Sequence, residues 1–293
     1  MTQPSVTVLI PAYNAATFIA PMLQSVSAQS GAEFRAIISV DVSTDSTFDL
    51  CAAHAARDAR FSVVRQAQRQ GYAGNCNFLL GQAATDCAMF AFHDDILAPH
   101  CLERLSAALA AAPQAVLAYG DMEMTEIGGT AQHWAFTAPA GQEGAAARGL
   151  VMLRQPAGWW VPNRGLFRMA AARRVRGVKR HSAGEFVCDL PWLLHLSLLG
   201  DFVRVQETLC FKFLQKHSLS RTWSYDDAQW LAVHASCLRE IWQSDLGEGD
   251  KLALSEALLV QSRPRQGRFH WLPRPIRAAG KAVLPKPVLR WLS

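Results

Sequence analysis

The sequence predicts an α/β fold built on a doubly wound, mostly parallel sheet. Short apolar runs recur along the first part of the chain, and segments with helical spacing of apolar residues separate them. Within the runs, apolar and polar residues do not alternate, which is typical of strands covered by helices on both faces. Regular alternation of such strands with helices favours parallel pairing.

The predicted elements of this first part follow one another in a simple order. Strands are predicted over residues 6–10, 36–40, 61–64, 87–92 and 115–119. Helices are predicted over residues 16–29, 46–57, 73–84 and 99–112. The last of these begins at Pro99, a residue well suited to the first turn of a helix.

The pattern changes after Asp121. Residues 126–149 have the glycine and proline punctuation of a loop. Beyond them, the sequence predicts a helix over 187–200, a strand over 201–214 and helices over 226–243 and 251–260. We therefore divide the chain into a domain over residues 1–221, with halves 1–125 and 126–221, and a helical extension over residues 222–293.

Composition narrows the class of protein. The chain has 293 residues, half of them apolar, so it can bury a large core. Its seven cysteines are scattered without a CxxC pair, and we expect reduced thiols that serve as small apolar side chains. No apolar run is long enough for a membrane-spanning helix and the N-terminus lacks the features of a secretory signal, so a cytoplasmic location is expected.

The net charge of +5 is unevenly distributed. Residues 261–293 hold eight cations and no acid, interspersed with tryptophan and aliphatic residues. The rest of the chain has no excess of cations, which argues against a nucleic-acid-binding core. The composition of residues 261–293 is typical of a segment that contacts an anionic membrane surface, here the inner face of the cell membrane. A solvated tail, or one that packs on a partner subunit, is the alternative.

Oxygen-bearing side chains follow several predicted strands. Ligands of an open parallel sheet bind outside the carboxyl ends of its strands, and these ends carry Asn14, Asp41, Asp45, Asp94 and Asp95. No GxGxxG or GxxxxGK[ST] motif follows a strand, so neither a dinucleotide fingerprint nor a P-loop is indicated. Carboxylate and amide oxygens suit hard cations such as Mg²⁺ or Mn²⁺.

The adjacent carboxylates Asp94 and Asp95 repel one another unless a cation lies between them. A divalent metal that carries a diphosphate would remove this conflict. The local alternative is a solvated strand end, with Asp95 capping the following helix. Local alternatives exist also for Asp45 as a helix N-cap, for Gly71 as a turn residue and for Asn77 as a hydrogen-bonding residue at a helix start.

Taken in order, these residues resemble glycosyltransferase family 2, the inverting, nucleotide-sugar-dependent transferases of the GT-A fold. The resemblance rests on VTVLIPAYN, ISVDVSTDST, RQGYAGNCN and FHDDILAP in the first part of the chain, and more loosely on EFVCDLPWLLHLSLLGDF and FKFLQKHSLSRT. It implies a Rossmann-like, nucleotide-sugar-binding half over residues 1–125 and an acceptor-binding half over 126–221. The chain departs from the family's pattern at Val40, Val42, Arg69, Cys76, Phe92 and Cys188.

The resemblance also implies roles for individual residues. The nucleotide would contact Pro11, Ala12, Tyr13, Asn14, Asp41, Asp45, Gly71, Asn77 and Asp94. Asp95 and Asp94 would bind the metal, Mn²⁺ or Mg²⁺, with His217 beside the metal or the diphosphate. Asp189 would be the general base.

Such a site implies a metal-dependent, inverting hexosyltransferase that moves one sugar from a nucleoside-diphosphate sugar, first of all a UDP-sugar, to an acceptor hydroxyl. Trp159, Trp160 and Arg164 are predicted to bind the acceptor, because indole rings stack on sugar faces and a guanidinium can meet an anion. Core aromatics beneath a loop are the alternative for the two tryptophans. The expected acceptor is a glycan or a lipid-linked glycan of bacterial surface polysaccharide assembly.

Two other classes of protein compete with this hypothesis. The departures from the family's motifs leave open a non-catalytic relative that binds a nucleotide sugar or a glycan. A sugar nucleotidyltransferase on a similar sheet would need a glycine-rich loop with a basic residue after the first strand, and PAYNAATF contains neither.

Overall fold

The computed structural model describes residues 5–126, 128–214 and 222–262. The first four strands pair in parallel in the order β3-β2-β1-β4. They are β1 (Val6–Ala12), β2 (Phe34–Val40), β3 (Phe61–Arg65) and β4 (Cys87–Phe90). Every residue of β1 and β4 is buried, as expected for strands covered on both faces.

Three helices between these strands and a fourth after them confirm the predicted alternation. They are α1 (Ile19–Ser27), α2 (Thr47–Ala55), α3 (Gly71–Gln82) and α4 (Cys101–Ala111). In α1 the apolar residues recur at helical spacing and all face the core: Ile19, Met22, Leu23 and Val26.

The second part of the chain continues the same sheet in the order β4-β8-β6-β9-β5, with β7 on the edge of β6. Its strands are β5 (Asp95–Leu97), β6 (Ala115–Thr125), β7 (Ala131–Trp134), β8 (Leu166–Arg168) and β9 (Asp201–Phe213). β6 and β9 are parallel, whereas β8, β5 and β7 are antiparallel to their neighbours. The predicted α/β class with its doubly wound sheet is confirmed.

The remaining helices pack on this second part. They are α5 (Ala145–Arg154), α6 (Met169–Val175), α7 (Asp189–Leu199), α8 (Asp227–Gln243) and α9 (Glu248–Ser262), with a 3₁₀ turn at Val161–Arg164. β7 and the first half of α5 lie in residues 126–149, which were predicted to be a loop. Nine residues of α7 are buried, and α8 and α9 add Ile241, Leu254 and Leu258 to the same core.

Two predictions from composition can be checked on this fold. All seven cysteines are free and buried, as expected of thiols used as apolar side chains. Within the described ranges, no helix is long and apolar enough to cross a membrane. The division of the chain at residues 221 and 222 stays a prediction.

Candidate active site

The strand order brings several strand ends to one crevice. From β1 the chain moves to β2 and β3 on one side, and then crosses to β4 on the other side of β1. At such a switch in strand order, the loops that follow the strands diverge and leave room for a ligand. Most of the predicted nucleotide-binding residues lie at the ends of these strands: Pro11 and Ala12 end β1, Tyr13 and Asn14 follow it, Asp41 and Asp45 follow β2, and Asp94 follows β4.

Asp41 is buried at the end of β2, and both of its carboxylate oxygens accept hydrogen bonds from this chain. Oδ1 accepts the backbone N–H groups of Val42 at 3.0 Å and Gln70 at 2.8 Å. Oδ2 accepts the backbone N–H of Gly71 at 2.8 Å and Nη1 of Arg69 at 2.8 Å. The carboxylate is therefore fully hydrogen-bonded before any ligand binds.

Arg69 also covers the aromatic ring that was predicted to meet the nucleobase. Its guanidinium carbon lies 3.3 Å from the centroid of the Tyr13 ring, within cation–π distance. About half of the Arg69 side chain is exposed, at 48%, so this group can leave its position without opening the core. Arg69 thus contacts both Tyr13 and Asp41, the residues predicted to bind the base.

Asn14 and Asp45 join the loop after β1 to the loop after β2. Asn14 adopts a φ of 43°, and its Oδ1 accepts the N–H of Thr44 at 2.9 Å. Asp45 accepts the N–H of Ala16 at 3.1 Å and the N–H of Thr47, the first residue of α2, at 3.0 Å. Burial acts to raise the pKa of Asp45, but hydrogen bonds from Thr47 and Ala16 hold it below its ordinary value. The alternative of Asp45 as the helix N-cap is wrong by one position, because the N-cap of α2 is Ser46 and Asp45 precedes it.

Gly71 and Asn77 connect α3 to the segment before α7. Gly71 has a φ of 70°, and a Cβ there would lie 2.6 Å from Oε1 of Glu185. The same Glu185 oxygen accepts the N–H of Ala73 at 2.9 Å. Asn77 exchanges two hydrogen bonds of 2.8 Å with the backbone of Val178. Glu185 was not among the predicted site residues, because its partner lies 112 positions earlier in the chain.

Asp94 and Asp95 are paired with two cations of this chain. Nζ of Lys212 lies 2.6 Å from Oδ2 of Asp94 and 3.3 Å from Oδ1 of Asp95. Nε of Arg164 donates to Oδ2 of Asp95 at 2.9 Å. Asp95 is fully buried, and the side chains of Lys212 and Arg164 are only 14% and 13% exposed. These four residues, Asp94, Asp95, Lys212 and Arg164, are called the charge cluster below.

The fold sets the positions of both cations. Asp95 and Lys212 are directly opposite each other in the antiparallel pair β5–β9, so their side chains lie on the same face of the sheet. Arg164 ends the 3₁₀ turn, and its guanidinium carbon lies 4.7 Å from the centroid of the Phe92 ring. Phe92 stands where the family's metal motif has its first acid. At this position the chain therefore has an aromatic ring that contacts the Arg164 guanidinium, and not a carboxylate that could bind a metal.

In the charge cluster, opposite charges shift the pKa values of Lys212, Arg164 and Asp94 toward their charged forms. Burial opposes the charge of Lys212, but Asp95 and Asp94 outweigh burial and hold its pKa above the ordinary value. Burial likewise opposes the charge of Arg164, and Asp95 and Asp94 raise its pKa. Burial acts to raise the pKa of Asp94, yet the charges of Lys212, His93 and Arg164 hold it below the ordinary value.

These contacts do not fit a divalent cation bound by Asp94 and Asp95. Both oxygens of Asp95 and one of Asp94 are engaged by buried cations. A metal ion placed there would meet two positive charges at close range. Among the described residues, no three side chains of His, Cys, Asp or Glu cluster as metal ligands would. His217 lies outside the described residues.

The predicted acceptor residues lie beside the charge cluster. Arg164 pairs with Asp95, so the anion that it meets in this structure belongs to its own chain. The Trp160 ring centroid lies 5.4 Å from that of Trp134 and 5.9 Å from the Arg164 guanidinium carbon. Trp159 is partly buried against the core. Stacking of a sugar on either tryptophan stays a prediction.

Asp189, the predicted general base, is the first residue of α7 and is half-buried. Burial raises the pKa of its carboxyl above the ordinary value, while the charge of Arg164 and the backbone N–H groups of Asp189 and Leu190 act in the opposite direction. The charge of Asp189 also raises the pKa of Tyr72, although burial is the larger cause there. Asp189 thus interacts electrostatically with the charge cluster through Arg164.

Solved structures of glycosyltransferases share this architecture. TarS 1-349 of S. aureus in complex with UDP-GlcNAc matches with a TM-score of 0.67 at 16% sequence identity, over 87% of this chain and 71% of that one. Mannosyltransferase PcManGT from Pyrobaculum calidifontis, in complex with GDP-Man and Mn²⁺, matches with a TM-score of 0.55 at 15% identity, over 100% of this chain and 84% of that one. These likenesses show the fold, and the expected GT-A architecture is confirmed. Comparison with curated proteins gave no match.

The profile of glycosyl transferase family 2 matches residues 7–164, more than half of the chain. The chain therefore belongs to glycosyl transferase family 2, as the resemblance of its motifs implied. The matched span includes the crevice at β1, β2 and β4 together with Arg164. Asp189 and Lys212 lie beyond it.

Proposed function

We propose that the protein is an inverting glycosyltransferase that moves one sugar from a nucleoside-diphosphate sugar to an acceptor hydroxyl. Membership of glycosyl transferase family 2 supports transfer of a sugar from an activated donor. The observation that carries the proposal is Asp189, a half-buried carboxyl with a raised pKa that interacts electrostatically with the charge cluster through Arg164. Perturbed carboxyls in a crevice of this kind are typical of catalytic bases.

The proposed reaction is a single displacement. Asp189 takes the proton of the acceptor hydroxyl while its oxygen attacks the anomeric carbon from the face opposite the diphosphate. The new carbon–oxygen bond forms as the bond to the phosphate oxygen breaks, and the electron pair leaves with the nucleoside diphosphate. A raised pKa makes Asp189 a stronger base than an exposed aspartate.

The donor is proposed to bind with its base at Tyr13 and Asp41 and its diphosphate toward Asp94. A UDP-sugar is the first donor to test, and a GDP-sugar the second. The structural neighbours that bind UDP-GlcNAc and GDP-Man support a nucleotide sugar of this type. Binding of a base requires Arg69 to move, or to stack with the base, because it now contacts both Tyr13 and Asp41.

The acceptor is proposed to be a glycan or a lipid-linked glycan, in keeping with a role in bacterial surface polysaccharide assembly. Trp159 and Trp160 would contact its sugar rings. Support for a membrane-bound acceptor comes from the basic, tryptophan-containing composition of residues 261–293. Residues 263–293 lie outside the described part of the structure, so this support is compositional.

The test is release of nucleoside diphosphate from a panel of UDP-, GDP- and dTDP-sugars, with and without candidate acceptors. Asp189→Asn should lower kcat about 10³-fold, the range of a lost general base, while UDP affinity stays within about twofold of wild type. Asp227→Asn, which changes an exposed acid in the first turn of α8, is the control and should leave the rate unchanged. Equal rates in Asp189→Asn and wild type would contradict the assignment of the base.

The same residue predicts a pH dependence. The base must be deprotonated, and burial raises its pKa, so kcat should fall on acidification at a higher pH than an ordinary aspartate would cause. A pH–rate profile measured at saturating donor checks this expectation. An acidic limb at the ordinary pKa of aspartate would indicate a different base.

A non-catalytic relative that binds nucleotide sugars is the second candidate function. The observation in its favour is that Arg69 and three backbone N–H groups already occupy the Asp41 carboxylate. If the protein binds a donor of the panel yet releases no nucleoside diphosphate with any acceptor, this candidate replaces the transferase.

A further inference from the structure

The charge cluster provides, within the chain, the positive charge that a divalent metal would bring. Lys212 and Arg164 each carry one positive charge, and both lie within 3.3 Å of the Asp94 or Asp95 carboxylates. The two cations and the two carboxylates have a formal charge sum of zero, as would one divalent ion held by two carboxylates. We propose that Lys212 and Arg164 replace the metal of this transferase, bind the donor diphosphate and stabilise it as it leaves, so that transfer needs no divalent cation.

The donors for such a role are present. An ammonium group has three N–H donors, and Lys212 directs two toward Asp94 and Asp95. A guanidinium has five, and Arg164 uses its Nε–H on Asp95. No other hydrogen bond joins the Arg164 guanidinium to the part of the chain that the structure describes. Relative to the described residues, both cations thus retain N–H groups for phosphate oxygens.

The fold holds both cations of the charge cluster in position. Lys212 is fixed by the β5–β9 register, and Arg164 by the 3₁₀ turn and its contact with Phe92. Removing Arg164 would leave one oxygen of the buried Asp95 without its cation, and removing Lys212 would leave Asp94 and the other Asp95 oxygen without theirs, which is costly. A metal could enter only if Lys212 left both carboxylates. The positive charge of Lys212 and Arg164 is therefore already in place when the phosphate oxygen takes up the electron pair. Electrostatic stabilisation of a transition state requires such preorganised charge.

This inference rests on the proposed transferase function and can fail separately from it. The first arm measures, for the wild-type protein, the affinity for each nucleoside diphosphate and its release from the panel of UDP-, GDP- and dTDP-sugars, once in EDTA and once in MnCl₂. We expect both quantities to agree within about twofold between the two buffers. Activity or UDP binding that is present only with MnCl₂ would overturn the inference and leave the transferase standing. Absence of binding and release in both buffers would overturn both.

The second arm changes Lys212 itself, with donor release measured in EDTA. Lys212→Met keeps the length of the side chain and removes its charge, and kcat should fall about 10²-fold, the loss typical of one donor to a developing anion. Lys212→Arg restores the charge and should recover most of that loss. Because Lys212→Met frees Asp94 and Oδ1 of Asp95, its rate should also rise on addition of MnCl₂, unlike that of wild type.

Arg204→Gln is the matched control. Arg204 lies on the same strand β9 and forms another ion pair, with Asp121 at 2.7 Å. Its loss should not change the rate or the response to metal. If Lys212→Met is as active in EDTA as wild type, the inference is overturned. If Lys212→Met fails to fold, the Lys212→Arg variant and the wild-type comparison of EDTA with MnCl₂ still decide the question.

Discussion

The two ends of the crevice pair an acid with a cation in different ways. At the end after β2, Asp41 pairs with Arg69, whose side chain is 48% exposed. In the charge cluster, Asp95 pairs with Lys212 and Arg164, which are nearly buried. Arg69 can swing into solvent and leave Asp41 with three backbone N–H partners. If Lys212 left, Asp94 would lose the cation that it contacts and the buried Asp95 would keep only Arg164, which is costly.

Because of this difference, a ligand can displace Arg69, whereas it must bind with Lys212 and Arg164 still in place. The Arg69–Asp41 pair is expected to be less costly to break, because Arg69 is half exposed and the buried Asp41 keeps three backbone N–H donors. The buried pair is costly to break, because loss of one partner of a buried ion pair costs about 3 to 5 kcal/mol. We therefore expect the base to rearrange Arg69 and the diphosphate to leave the charge cluster intact.

The largest expected effect is on stability. Asp95→Asn removes the charge that both Lys212 and Arg164 face, and the free energy of unfolding should fall by about 3 to 5 kcal/mol. Urea unfolding followed by circular dichroism measures it. Glu207→Gln, which changes an exposed ion pair with Arg104 at 3.3 Å, is the control and should cost less than about 1 kcal/mol. Equal losses in the two variants would show that the buried pairs of Asp95 are no more costly to break than an exposed ion pair.

A smaller effect is expected at the other end. Arg69→Ala should lower the free energy of unfolding by less than about 1 kcal/mol, because Asp41 keeps its backbone donors. The same change frees the Tyr13 ring and one oxygen of Asp41, so the affinity for UDP should rise several-fold in isothermal titration. An unchanged affinity would indicate that the base does not bind at Tyr13 and Asp41.

The first part of the fold was predictable because its signals are local. The unalternating apolar runs of β1, β2 and β4 and the helical spacing in α1 each arise within a short stretch of sequence. β5 and β8, of three residues each, and the edge strand β7 carry no such pattern. Short strands of this kind are defined by their neighbours in the sheet, and these come from distant parts of the chain.

The charge cluster was only half predictable for the same reason. Asp94 and Asp95 were identified at the end of a buried run, and a divalent metal was predicted beside the two adjacent acids. The cations that contact them in this structure are Lys212, 118 positions from Asp94, and Arg164, 69 positions from Asp95. Only the β5–β9 register brings Lys212 opposite Asp95. A metal was the natural hypothesis as long as that register was not known.

The central claim is that the charge cluster holds its own cations while Arg69 gives way to the nucleotide. The most direct test is a crystal structure of the protein with UDP and MnCl₂, with anomalous data collected for manganese. We expect Arg69 to have moved from Asp41 or to stack on the base, Lys212 to remain between Asp94 and Asp95, and no manganese peak at these carboxylates. A manganese ion bound by Asp94 and Asp95, with Lys212 displaced, would contradict the claim.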